Sequence, residues 1–153
     1  MLRLEWIVST GWADCLVADQ DAEVSIETSY ISEAPEELLI AVARVLTSES
    51  EARVEFAGEP AGYRWILHRD GEDVRIRILQ VPDRGSNDLA STEIWRSRQP
   101  VDVLVRAAIR CFDNVAETYG ESEYQRRWRH PFPRFQLEAL RTLWRADRAA
   151  RTR

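Results

Sequence analysis

The sequence predicts an α+β fold: an antiparallel β-sheet of about six or seven strands, with one helix inserted and two or three C-terminal helices packed on one face. Three observations predict it. Apolar and polar residues alternate with period two through most of residues 2–96. One amphipathic helical stripe interrupts that pattern after residue 34. From residue 101 onward the apolar spacing changes to 3.6 and stays helical.

The elements follow in order. Leu2, Leu4, Trp6 and Val8 alternate with Arg3, Glu5 and Ile7, which makes a first strand. Ser9-Thr10-Gly11 is a turn, and Trp12 to Ala18 a second strand. From Ala22 to Ile31, Val24, Ile26, Thr28 and Tyr30 share one face and Glu23, Ser25, Glu27 and Ser29 the other, so this strand is half-buried with an acidic outer side. Ser32 to Glu37 opens a helix, with Pro35 in the first turn and Glu36 and Glu37 at the positive end of the helix dipole. Leu38, Leu39, Val42, Val45 and Leu46 form its apolar stripe, and it ends near Thr47.

Arg53 to Ala57 is a short strand, followed by a Gly- and Pro-containing turn at residues 58–62. Asp70-Gly71 lies between two alternating runs, Tyr63 to His68 and Val74 to Leu79, and predicts a hairpin. Residues 82–89 form a loop, and residues 90–96 a last strand containing Ile94 and Trp95. Ser97 to Pro100 is expected to cap a five-turn helix carrying Val101, Leu104, Val105, Ala108, Phe112, Val115 and Tyr119 and stopped by Gly120. A short helix covers Glu121 to Trp128, and His130-Pro131-Phe132-Pro133 breaks it. A final helix runs from Phe135 to about Arg148, leaving residues 149–153 as a frayed tail. No repeat or linker divides the chain, so residues 1–153 are expected to form one domain, long enough to bury roughly 70% of its unfolded surface.

Charge is unevenly distributed along this length. Residues 1–60 carry thirteen Asp/Glu and three Arg (Arg3, Arg44 and Arg53); residues 61–120 carry nine of each; residues 121–153 carry four acids and nine Arg. The net charge is −5 and the isoelectric point near 5.2. All 21 cationic side chains are Arg, so Schiff-base chemistry, a phosphate-loop lysine and a lysine general base are excluded. No apolar run reaches the ~20 residues of a membrane span. The N-terminus lacks the basic and apolar regions of a signal peptide. Two cysteines 96 positions apart, Cys15 and Cys111, read as buried free thiols in a cytoplasmic protein.

Motifs for chemistry are missing. There is no C-x-x-C, H-x-H or H-x-x-x-H pattern for a metal, no G-x-S-x-G nucleophile elbow and no glycine-rich phosphate loop, so no cofactor and no metal are expected. His68 reads as a surface residue near a hairpin tip, and His130 as a loop histidine donating to a backbone carbonyl. A small enzyme would need the fold to bring Cys15, Cys111, His68 or His130 beside an acid in a pocket. The acids Asp14, Asp19, Asp21, Glu23, Glu27, Glu33, Glu36 and Glu37 are too widely spread for a general acid/base pair and read better as a continuous negative face.

Two binding readings remain. In the favoured one, the chain is a protein-binding module that meets a basic protein through Glu23, Glu27, Glu33, Glu36 and Glu37. In size, charge and lack of catalytic motifs it is similar to the small immunity proteins of bacterial toxin systems, which use acidic faces to neutralise basic nuclease toxins. That similarity is one of general character and transfers no site residues. In the alternative, Tyr124, Arg126, Arg127, Trp128 and Arg129 bind nucleic acid or a nucleotide, the Arg tracking phosphates and the aromatics stacking on bases. Against that, the C-terminal Arg can equally pair with the chain's own acids.

Overall fold

The computed structural model describes residues 1–59, 61–83 and 85–152. Their elements, in order, are β1 (Leu2–Val8), β2 (Trp12–Asp19), β3 (Glu23–Ser29), α1 (Ala34–Leu46), β4 (Glu51–Phe56), β5 (Gly62–Asp70), β6 (Asp73–Val81), β7 (Thr92–Pro100), α2 (Val101–Tyr119), α3 (Glu121–Trp128) and α4 (Arg134–Arg151). The fold is α+β, and every strand pair is antiparallel.

The strands do not share one sheet. β1, β2 and β3 form a three-stranded meander, and β4, β5, β6 and β7 a four-stranded one. Period two identifies a strand but not its partner, and α1 intervenes between β3 and β4. A few hydrogen bonds link the edges of the two sheets. The Ser29 amide donates to the Ala57 carbonyl at 2.7 Å. At the other end of β3 the Trp95 indole donates to the Ala22 carbonyl at 3.2 Å, and the Ser97 hydroxyl donates to Asp19 at 2.6 Å.

Both sheets turn one face inward. Leu4, Trp6, Cys15, Val17 and Ile26 of the first and Val54, Phe56, Trp65, Leu67, Ile76 and Ile78 of the second join Leu38, Val42, Leu104, Phe112 and Leu137 from the helices in one continuous apolar cluster. Helix α1 packs on β4 and β5, α2 on β1, β6 and β7, and α4 on α1 and α2. Trp6 sits at the centre of this core, with Phe56, Phe112 and Trp128 around it at ring-centroid distances of 5.5–5.9 Å.

The helix ends differ from expectation in two places. Ser97 to Pro100 do not cap α2: they continue β7, and α2 starts at Val101 with Pro100 as its N-cap and no side-chain cap. The Val101 amide donates to the Glu72 carbonyl instead. Nor does the chain fray from residue 149. Helix α4 runs to Arg151, whose guanidinium reaches Asp147 at 2.8 Å and Glu72. Residue 153 lies outside the described residues. Gly120 ends α2 as expected, at a φ of 75°.

Candidate interaction surfaces

The pleat of the first sheet sorts its charges outward. β1 contributes Arg3, Glu5 and Ile7; β2 contributes Asp14 and Leu16; β3 contributes Glu23, Ser25 and Glu27. Glu23 and Glu27 therefore share a face with Asp14 and with Glu5, the last of which was not among the acids expected to form the negative face. Arg3 is the sole cation on these three strands, and it lies near Glu5 and Glu23, at 3.4 and 3.9 Å. At the opposite end of the face the register sets Asp14 directly across from Glu27, with Ile7 on the other side of Asp14. No cation among the described residues pairs with Asp14 or Glu27. Ile7 is 52% exposed beside them, unlike its inward neighbours Trp6 and Val8.

The helix-start acids fall into two environments. Glu33 and Glu37 are exposed. Glu36 is half-buried, and its Oε1 is enclosed without a hydrogen-bond partner among the described residues. Burial, reinforced by the Glu33 carboxylate, pushes the Glu36 carboxyl above the usual carboxylate range.

The Arg/aromatic segment has a different geometry from the one a base-stacking surface needs. Tyr124 and Trp128 are fully enclosed, Tyr124 against Phe132 and Trp128 against Trp6. Neither ring is available to a nucleobase. Two of the Arg are turned to structural work. Arg126 and Arg127 both bond to Glu123, whose carboxyl these two guanidiniums hold down at about 2. Arg127 also donates to the Val8 carbonyl at 3.3 Å and stacks on Tyr119. Arg129, at a φ of 77°, ends α3 and stacks on Tyr30. The amide of Gly11 donates to the Arg127 carbonyl at 2.8 Å, and a Cβ there would meet the Tyr30 ring at 3.3 Å. The segment is a clamp that holds α3 on the β1–β2 turn. Further along, Arg134 pairs with Glu121 and Glu138, Arg141 with Asp113 and Glu138, and Arg148 with Asp102.

The outer face of the second sheet carries cations that the balanced count for residues 61–120 conceals. Arg64, Arg75, Arg77, Arg96 and Arg98 project there, joined by Arg53 and by Glu51, Glu55, Asp73 and Glu93. The loop before β7 folds over part of it. Asp88 accepts from Arg53 at 2.9 and 3.1 Å and from the buried Arg64 at 2.9 Å, and its carboxyl is held below the usual range by these partners, Arg53 foremost. A small apolar cluster of Ile66, Leu79 and Val81 lies on the same side of the sheet. The rest of the face is an open cleft of about 670 Å³. The alternation of Arg75 and Arg77 with Val74, Ile76 and Ile78 was visible in the sequence; their alignment with Arg96 and Arg98 depends on strand order and register.

Of the residues a small enzyme would need, His68 lies across from Glu51 in the cleft, and Cys111 lines a small pocket with Glu5. Cys15 and Cys111 are buried free thiols; burial pushes Cys15 up to about 12 and Cys111 well above its ordinary value. His130 Nε2 donates to the Tyr30 carbonyl at 2.8 Å, and His68 lines the Arg-rich cleft on the outer side of β5. Among the described residues no group of three or more His, Cys, Asp and Glu is placed to hold a metal, and no helix is long and apolar enough to cross a membrane.

No family model and no curated protein matches the sequence. Among solved structures, a chain of the CdiA-CT/CdiI toxin and immunity complex from Enterobacter cloacae is similar, with a TM-score of 0.50 and 10% sequence identity over 74% of this chain and 99% of that one. At that identity the likeness is one of fold.

Proposed function

We propose that this protein is a small acidic protein-binding module that works in the bacterial cytoplasm as an immunity-type inhibitor, neutralising a basic toxin or another basic partner. The contact surface is the outer face of the first sheet, with Glu23 and Glu27 joined by Asp14 and Ile7, and extends to exposed Glu33 and Glu37 at the start of α1, with half-buried Glu36 between them. The observation that carries the reading is the unpaired Asp14–Glu27 row beside exposed Ile7. Like charges directly opposite on neighbouring strands cost stability. A basic surface would relieve that cost, and the isoleucine would supply an apolar anchor at the centre of the contact. Negative potential on this face would also speed capture of a cationic partner. The fold likeness to a chain of a toxin and immunity complex supports the same reading, as do the two free thiols, which suit a reducing compartment.

Co-expression with the product of the adjacent gene, followed by affinity capture, tests it. The expected result is a partner retained at low salt and released by the pair of substitutions Asp14→Asn and Glu27→Gln. Retention that ignores both salt and these substitutions would show that the partner sits elsewhere.

A further inference from the structure

The second sheet repeats the like-charge arrangement with the opposite sign. The register of β6 and β7 sets Arg75 directly across from Arg98, and Arg77 directly across from Arg96. The Cβ atoms of four arginines thus occupy a patch about 5 Å across the strands and 7 Å along them. Internal acids answer three of the four. Arg77 lies 2.6 Å from Glu93, Arg96 lies 3.8 Å from the same carboxylate, and Arg98 lies 3.0 Å from Asp73 and 3.1 Å from Asp70. Arg75 has no ion pair or hydrogen bond among the described residues, and its neighbour across β5 is His68. It is exposed within the 670 Å³ cleft, a volume in the range of small-molecule sites.

One wall of the cleft is built in advance. The turn after β2 is fastened by Asp19, whose Oδ1 accepts the amides of Asp21 and Ala22 at 2.8 and 2.9 Å and whose Oδ2 accepts the Ser97 hydroxyl. Among the described residues none of the cleft arginines pairs with Asp19.

We propose that this cleft binds a compact phosphate monoester, held by Arg75 with Arg98 and Arg77. Guanidinium forks match the oxygens of a phosphate group, and a monoester dianion neutralises two cations at once. A longer polyanion fits poorly, because Asp19, Asp21, Glu51 and Glu93 also line the cleft and would face its next phosphates. The site lies on the other sheet from the acidic face and stands independently of the partner proposed above.

Titration of the full chain with glycerol 3-phosphate at constant ionic strength tests the proposal by calorimetry and thermal shift. Saturable binding is expected, with a rise in Tm, and Arg75→Gln weakens it about tenfold or more. The substitution relieves like-charge repulsion, so without ligand the variant should be at least as stable as the parent chain, which separates lost binding from lost folding. Three results would overturn the proposal: no saturable binding, equal binding by Arg75→Gln, or preference for citrate or a single-stranded oligonucleotide over glycerol 3-phosphate.

Discussion

Replacing Glu27 by Gln should stabilise the free protein by an amount that salt controls. The substitution keeps size and removes one charge from the Asp14–Glu27 pair. Cross-strand Cβ atoms lie about 5 Å apart, which places the carboxylates roughly 6 Å from each other. At that separation in water the repulsion is about 0.7 kcal/mol before screening. A Debye length near 30 Å at 0.01 M salt leaves about 0.6 kcal/mol, one near 8 Å at 0.15 M leaves about 0.3, and one near 3 Å at 1 M leaves about 0.1. Arg3 does not offset this, because it lies on the row of Glu23, four residues along β3 and about 14 Å away. The low-salt gain corresponds to a Tm rise of about 2 °C in a domain of this size. Thermal unfolding followed by circular dichroism at the three salt concentrations measures it. A stability loss, or a gain that salt leaves unchanged, would refute the argument that these carboxylates face each other unpaired.

Other changes have equally definite outcomes. Trp128→Ala should cost about 3–5 kcal/mol in urea unfolding, because the ring is fully enclosed against Trp6; a loss under 1 kcal/mol would mean that it is exposed enough to stack on a base. Asp88→Asn should cost about 1 kcal/mol at pH 7, since it weakens bonds to Arg53 and to buried Arg64. The Asp88 carboxyl is depressed in the folded state, so its contribution is complete above the unfolded value of about 3.9 and is lost as pH falls through the lower folded value. The variant should therefore show a shallower acid limb between pH 5 and 2, and an identical limb would sink the assignment. Cys15 and Cys111 should resist a thiol reagent at pH 8 in the native protein and react at the rate of unfolding; fast native labelling of either would contradict their burial.

Much of the fold was legible in the chain. Hydrophobic periodicity located every strand and helix to within a few residues, and the exception at Ser97 to Pro100 is instructive. Polar residues before a helical run resemble a cap, yet Ser97 and Gln99 face inward on β7, where the Gln99 amide donates to the Ser97 hydroxyl at 2.9 Å. Local sequence does not distinguish a cap from the end of a buried strand when the partner that receives the polar group is remote, here Asp19. The acidic face was half legible. Alternation placed Glu23 and Glu27 outward, but adding Glu5 and setting Asp14 directly across from Glu27 required the strand register. Glu36 lies in the same helix turn as Glu33 and Glu37, and helical geometry turns it inward while they stay exposed.

The chain's linear order determined the strands, the helices, the exclusion of lysine chemistry and the excess of acid in the first sixty residues, because each of these is a property of composition or short-range spacing. Tertiary structure alone decided where charge accumulates. The Arg-rich C-terminus is largely neutralised by Glu121, Glu123, Glu138, Asp113 and Asp102, and in the electrically balanced middle third strand pairing gathers Arg75, Arg77, Arg96 and Arg98 on one face, where Arg75 alone of the four has no ion pair among the described residues. Counting along the chain sums all side chains alike. The pleat instead sends alternate residues to opposite sides, and pairing aligns residues that sequence keeps some twenty positions apart.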